Sequence, residues 1–353
     1  MAGLQELLRY VNDHRGSDLH LAAGLEPRIR RNGALEAVPR WPVLTPPMVT
    51  ELLREVAGDA QWEEFQRTHD LDFAYGIAGV ARFRCNYLVQ QNGASAVFRL
   101  IPEKIVTLEE LNLPAAIEGL AHLRSGLILV TGPTGSGKST TLAAIIDRIN
   151  TTYQKHIVTI EDPVEFVHHD KLCRFSQREV GKDTESFAAA LRAAIRQDAD
   201  VIMVGEMRDL DTISLAITAA EMGALVFGTL HTNGAAATID RLVDAFPAEE
   251  QAQVRTTLAE SLAAVISQLL LRTADGRGRC AVTEILLRTA GLSNVIREGN
   301  TPMLTTIMQG GRAAGMQLMD DALAALVDAK RVTPREAYLK AANKARFENL
   351  IDD

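Results

Sequence analysis

The run Gly126-Leu127-Ile128-Leu129-Val130-Thr131-Gly132-Pro133-Thr134-Gly135-Ser136-Gly137-Lys138-Ser139 decides how this sequence folds. Gly126 to Thr131 is almost wholly apolar, the pattern of a strand covered on both faces, as in a parallel sheet. Gly132 to Ser139 fits GxxxxGK(S/T), a loop that joins such a strand to a helix, and a helix is predicted over Ser139 to Ile149. Working outward, further apolar strands are expected at His156–Ile160, Asp200–Val204 and Leu225–Leu230. Helical spacing recurs between them at Phe187–Ile195 and Leu210–Met222. Strands alternating with helices predict an α/β fold with a parallel sheet and right-handed crossovers. From about Glu249 to the end the pattern is mostly helical, with one strand expected at Cys280–Leu287.

The loop carries the chemistry. Its glycines let the backbone curl so that consecutive N–H groups point at phosphate oxygens. The start of the following helix adds partial positive charge. Gly132, Pro133, Thr134, Gly135, Ser136, Gly137, Lys138, Ser139 and Thr140 are therefore the expected nucleotide-binding set, with ATP and Mg2+ as the implied ligands. Lys138 would reach the β/γ-phosphates, and the Ser139 hydroxyl would ligate Mg2+.

Hydrolysis needs acids besides. Ligands bind outside the carboxyl ends of strands in open α/β sheets. Two predicted strands end in acids there: Ile160-Glu161-Asp162-Pro163-Val164-Glu165-Phe166, and Val204-Gly205-Glu206. Glu206 is the expected metal-side acid, and Glu161 the residue that polarises the attacking water. A third strand ends in Gly228-Thr229-Leu230-His231-Thr232, where His231 either senses the γ-phosphate or serves as a structural hydrogen-bonding group. His168 and His169 read as exposed loop residues.

The N-terminal part has a different grammar. A helix is predicted over Leu4–Val11, strands near Asp18–Leu21 and Pro27–Arg31, and a hairpin turn at Asn32-Gly33. Pro39 to Pro47 reads as a loop, Val49 to Phe65 as one amphipathic helix, and Leu71 to Leu100 as alternating strands. This predicts a small α+β domain over residues 1–105, a linker over 106–116, and the α/β domain over 117–353. Arg82, Arg84 and Arg99 would share one sheet face, because residues two apart point the same way. They serve either as surface ion pairs or as positive charge for a developing phosphate transition state.

Composition narrows the function classes. Hydrophobic residues are 47% and charged residues 23% of the 353, which is ordinary for a globular protein. A net charge of −8 argues against a duplex-binding surface. Cys85, Cys173 and Cys280 are widely spaced, so no zinc module is expected. No apolar run approaches the ~20 residues of a membrane span, and the N-terminus lacks the basic-then-apolar pattern of a signal peptide.

Together these stretches resemble the PilT-like branch of the type II/IV secretion ATPases over nearly the whole chain. Gly16-Ser17-Asp18-Leu19-His20-Leu21 resembles the family's opening signature, and Ala81-Arg82-Phe83-Arg84 with Phe98-Arg99-Leu100-Ile101-Pro102 its arginine strands. Glu161 to Phe166, Arg196 to Glu206 and Gly228 to Thr232 resemble its Asp box, Walker B region and His box. Val295-Ile296-Arg297-Glu298 and Gly315-Met316-Gln317 resemble its C-terminal signature. The sequence departs from the family at Ala224, where a second His-box histidine is usual, and at Ser293, where an arginine is usual.

The resemblance implies a PAS-like N-terminal domain followed by a RecA-like ATPase domain with a helical C-terminal extension. It further implies a homohexameric, ATP-hydrolysing motor for type IV pilus retraction, hence twitching motility. The motor would be cytoplasmic, at the inner-membrane base of the pilus, acting on the pilus platform protein with no span of its own. Glu161, Glu206, His231, Arg82, Arg84 and Arg99 would carry catalysis, with Ser139 and Glu206 on the metal. An accessory paralogue of that motor and a secretion or assembly ATPase are the alternatives within the family. A RecA-like nucleic-acid motor would need a basic or aromatic groove, and aromatics are only 5%. A non-hydrolysing scaffold would have lost its acids, whereas Glu161 and Glu206 are both present.

Overall fold

The computed structural model describes residues 3–31, 33–101 and 104–351. Asn32 of the expected hairpin turn and Pro102 of the expected connection lie outside them. Contacts divide the chain into two units: one reaches Lys104 and takes in Pro163–Val167, and the other comprises Ile105–Asp162 and His168 onward.

In the first unit α1 (Leu4–Asp13) buries Leu4, Leu7, Leu8 and Val11, one stripe at helical spacing. β1 (Asp18–Ala22), β2 (Arg28–Arg31) and β3 (Ala34–Ala37) are followed by α2 (Pro46–Arg54) and α3 (Asp59–Thr68). β4 (Asp70–Ile77), β5 (Ala81–Gln90) and β6 (Gly93–Ile101) complete an antiparallel sheet of order β3-β2-β1-β6-β5-β4. Phe83, Tyr87 and Phe98 fill its core, and the Tyr87 hydroxyl donates to the Leu53 carbonyl at 3.0 Å.

Two expectations change here. Pro46 and Pro47 open α2 instead of belonging to the loop, since a first helical turn has no intrahelical use for the N–H that proline lacks. The single helix expected over Val49–Phe65 is two, because Gly58 caps α3 and donates its N–H to the Gln61 side chain at 3.0 Å.

The second unit contains α4 (Ala115–Leu120), β7 (Gly126–Thr131), α5 (Lys138–Thr152), β8 (His156–Glu161), β9 (Arg174–Glu179), α6 (Phe187–Ala194), β10 (Val201–Val204) and α7 (Leu210–Glu221). There follow β11 (Leu225–Leu230), α8 (Ala235–Asp244), α9 (Gln251–Ser261), β12 (Leu262–Arg272), β13 (Arg279–Leu287) and α10 (Ala290–Glu298). α11 (Leu304–Gly310), α12 (Met319–Asp328), α13 (Pro334–Lys340) and α14 (Ala345–Glu348) end the chain.

Its sheet has the order β13-β12-β7-β11-β10-β8-β9, parallel throughout except where β13 runs against β12. Every residue of β7, β10 and β11 is buried, as continuous apolar runs require. β12 corrects the mostly helical reading after Glu249. Its long apolar run is buried between β7 and β13, and periodicity alone does not separate such a strand from a buried helix. β9 carries polar, half-buried residues at the sheet edge and gave no apolar signal. Among the described residues no helix is long and apolar enough to cross a membrane.

Candidate functional site

The strand order decides what can meet. β7, β11, β10 and β8 are consecutive neighbours and all parallel, so their carboxyl ends form one row. The glycine loop leaves β7, His231 follows β11, Glu206 lies just past β10, and Glu161 ends β8. At about 4.8 Å between strands, the row from the loop's strand to Glu161's spans roughly 14 Å, with His231 and Glu206 between.

The loop turns back on the strand it leaves. Gly132, Gly135 and Gly137 take φ of 137°, 77° and 88°, which side chains resist. A Cβ on Gly132 would lie 2.2 Å from the Gln268 carbonyl oxygen, so the backbone there admits glycine alone. Lys138 is buried, and its Nζ donates to the Gly132 and Pro133 carbonyls at 2.8 and 3.2 Å. Ser139, in the first turn of α5, is exposed. Gln268 of β12 donates from Nε2 to the Ser136 carbonyl at 2.7 Å, and its Oε1 accepts the Thr141 hydroxyl at 2.8 Å.

Glu206 contacts one of the expected residues, His231, and one unexpected one, Arg208. Its Oε2 accepts from Arg208 at 2.7 Å, and its Oε1 lies 3.1 Å from His231 Nε2. The Arg208 hydrogen bond, with the charges of Arg208, His231 and Lys138, holds the Glu206 carboxyl below the usual carboxylate range against the opposing effect of burial. Lys138 thus acts electrostatically on Glu206 across the row. Gly205, which stands where a Walker B aspartate is common, packs tightly: its N–H donates to the Ile160 carbonyl at 2.7 Å, and a Cβ would come within 3.1 Å of that same oxygen.

Glu161 is buried, and its Oε1 accepts from Thr159 at 2.7 Å and from Gln177 at 3.1 Å. Gln177 also accepts the His168 backbone N–H at 2.7 Å. His168 itself is 7% exposed, which corrects its reading as a surface residue, while His169 is exposed as expected. The stacked ring of Phe175 covers His168.

Arg82 and Arg84 alternate with buried Ala81, Phe83 and Cys85, and Arg84 stands directly across from Arg99, so the three arginines share the face away from the core. On that face Arg84 pairs with Asp72 at 2.5 Å and Arg99 with Asp18 at 2.9 Å. Asp18 is 5% exposed and also accepts the Ser17 hydroxyl at 2.7 Å.

Arg208, Gln177 and Gln268 were not anticipated. Gln177 lies on a stretch with no motif, and Arg208 sits two residues past Glu206, beside a motif read for its acid alone. Gln268 had a signal, since Ser267-Gln268 is a polar interruption of an otherwise apolar strand.

The residues suit a nucleotide with magnesium. The glycine cradle leaves backbone where a Cβ would not fit, and Ser139 with an ionised Glu206 offers the hard oxygen donors that Mg2+ takes alongside phosphate and water. Among the described residues no three His, Cys, Asp or Glu side chains group as a metal site of their own.

Comparison with known proteins decides the lineage. The family model described as type II/IV secretion system protein matches residues 15–341. The chain belongs to the type II/IV secretion system protein family. Within this family it is 50% identical over 333 residues to the type IV pilus retractation ATPase PilT of Pseudomonas aeruginosa, covering 94% of this chain and 96% of that one. It is 49% identical over 317 residues to a twitching motility protein of Neisseria gonorrhoeae, covering 90% of this chain and 84% of the relative. A crystal structure of the pilus retraction motor PilT with bound ADP superposes with a TM-score of 0.91 at 42% identity, covering 99% of this chain and all of that one.

The two departures from the family pattern have structural accounts. Ala224 precedes β11 and His231 follows it. A strand of that length separates them by roughly 20 Å, so a histidine at 224 would not touch His231. Ser293, in α10, donates its hydroxyl to the Ala259 carbonyl of α9 at 2.7 Å.

Proposed function

We propose that this chain is an ATP-hydrolysing motor that powers retraction of type IV pili. The observation that carries the reading is the row of strand ends: a glycine loop with Lys138, then His231 and Glu206 in contact, then Glu161, in a chain half identical to a pilus retraction ATPase along almost its full length.

The loop amides and Lys138 bind the triphosphate and neutralise it. Bound Mg2+, held by Ser139 and Glu206, would screen the phosphate charge. Glu161, fixed by Thr159 and Gln177, orients and polarises the attacking water. His231, in contact with Glu206, couples the state of the phosphates to the start of α8, which begins four residues later at Ala235. Arg82, Arg84 and Arg99 supply positive charge to a neighbouring copy's transition state, Arg84 and Arg99 by exchanging their present partners Asp72 and Asp18. The working form is a homohexameric ring at the cytoplasmic face of the inner membrane, acting on the platform protein.

The test is a cell lacking this protein, complemented with the parent gene or with Lys138→Ala. Loss of twitching together with retained surface pili, restored by the parent and not by Lys138→Ala, is expected. Normal twitching in the cell lacking the protein refutes the motor reading, and parent-like ATP turnover by purified Lys138→Ala refutes the site.

A further inference from the structure

We infer that Gln268 is a positioning residue for phosphate binding, which sets the direction of the Gly137 amide. The inference rests on the nucleotide reading of the glycine loop and adds a residue from a distant strand to it.

The argument starts from register. Ser267 of β12 stands opposite Thr131, the last residue of β7, so Gln268 is level with the first turn of the loop. Neighbouring residues of a strand point to opposite faces. The Ser267 hydroxyl accordingly accepts the Gly234 N–H at 2.9 Å, in the segment after His231, while Gln268 turns to the glycine loop. This polar pair lets one strand brace both loops of the site.

The Gln268 side chain is 2% exposed and both ends of its amide are used. A carbonyl oxygen only accepts, so the contact with Ser136 assigns Nε2 to that side and leaves Oε1 to accept from Thr141. The partners lie 132 and 127 residues away in sequence. Loop crest and first helical turn are therefore fastened to the sheet at one point.

What that fastening does follows from peptide geometry. A trans peptide unit is planar, and its C=O and N–H point in opposite directions. The Ser136 carbonyl and the Gly137 N–H belong to one such unit. Holding the carbonyl on Gln268 aims the N–H away from β12, toward the concave side of the loop. Gly137 is the cap of α5, where N–H groups have no intrahelical partner and serve anions. Its φ of 88° and the 2.9 Å approach of a hypothetical Cβ to Gln268 Nε2 show why no larger residue occupies that position.

The experiment uses the purified full chain, with a fluorescent ADP titration, ATP turnover kinetics and thermal denaturation. Gln268→Met keeps the length and removes the donor. One hydrogen bond's worth of orientation predicts a rise of about fivefold in the Kd for ADP and in KM, with kcat within about threefold of the parent. Gln268→Glu, which keeps the acceptor for Thr141 and loses the donor for Ser136, is expected to weaken binding at least as much, and it serves alone if the Met variant fails to fold. Parent-like Kd in the folded variants overturns the inference, even if their melting temperature falls, because that is the mark of a purely structural strut. A drop in kcat with unchanged KM overturns it as well. If the parent binds no ADP, or Lys138→Ala binds it as tightly as the parent, the nucleotide reading fails instead.

Discussion

Acidification from about pH 7.5 to about pH 5 is expected to remove about 2 kcal/mol of stability through His168 alone. The ring is stacked on Phe175 with centroids 4.8 Å apart and planes within 1°, and its Nδ1 has no hydrogen-bond partner among the described residues. Burial pulls its pKa from 6.5 down to about 4, with Asp147 opposing and Lys171 and His169 assisting. The unfolded chain therefore takes up a proton near pH 6.5, while the folded chain keeps the ring neutral until about pH 4. In that window the unfolded state binds more protons, so stability is complete above pH 6.5 and falls as the pH drops toward 4. At ~1.4 kcal/mol per pH unit the ceiling is about 3 kcal/mol, of which about 2 is lost by pH 5. The assay is urea denaturation of the parent and of His168→Phe at both pH values. Phenylalanine keeps the stacking and does not titrate, so the parent should lose about 2 kcal/mol more than the variant. Losses equal to within about 0.5 kcal/mol would refute the assignment of acid sensitivity to this ring.

Two further outcomes follow from the site. Glu206→Gln keeps the side chain's shape and removes the charge that Arg208 and His231 face; phosphate release should fall by at least about 100-fold while ADP affinity stays within a few-fold, and near-parent turnover would remove Glu206 from the machinery. Gly205→Asp restores a common Walker B acid in sequence but sets a Cβ 3.1 Å from the Ile160 carbonyl and 3.3 Å from Glu161 Cα; it should lose about 1–3 kcal/mol in thermal denaturation, and unchanged stability with stronger magnesium dependence would contradict the packing argument.

How legible the molecule was depended on where each signal resides. β7, β10 and β11 were readable because strands covered on both faces must be continuously apolar. The loop was readable because phosphate binding constrains backbone, and backbone constraint appears as glycine. β12 was not, because a stretch of eleven residues that is apolar but for Ser267, Gln268 and Arg272 suits a buried helix equally well and only its neighbours β7 and β13 settle it. The break between α2 and α3 turned on one glycine inside an otherwise amphipathic run. Arg208 and Gln177 escaped notice for a different reason: their roles are to hold other side chains, and a supporting hydrogen bond leaves no spacing rule behind.

Glu284 of β13 has one oxygen on each of two helix starts. Oε1 accepts the Ala235 N–H at 2.8 Å, where α8 begins just beyond His231, and Oε2 faces the Met319 N–H at 3.4 Å, where α12 begins. A single carboxylate thus works as a yoke between the segment nearest the phosphates and the C-terminal helices. If hydrolysis displaces the His231 segment, the yoke must either slip off one helix start or drag the other along, so the start of α12 would feel a movement at the start of α8.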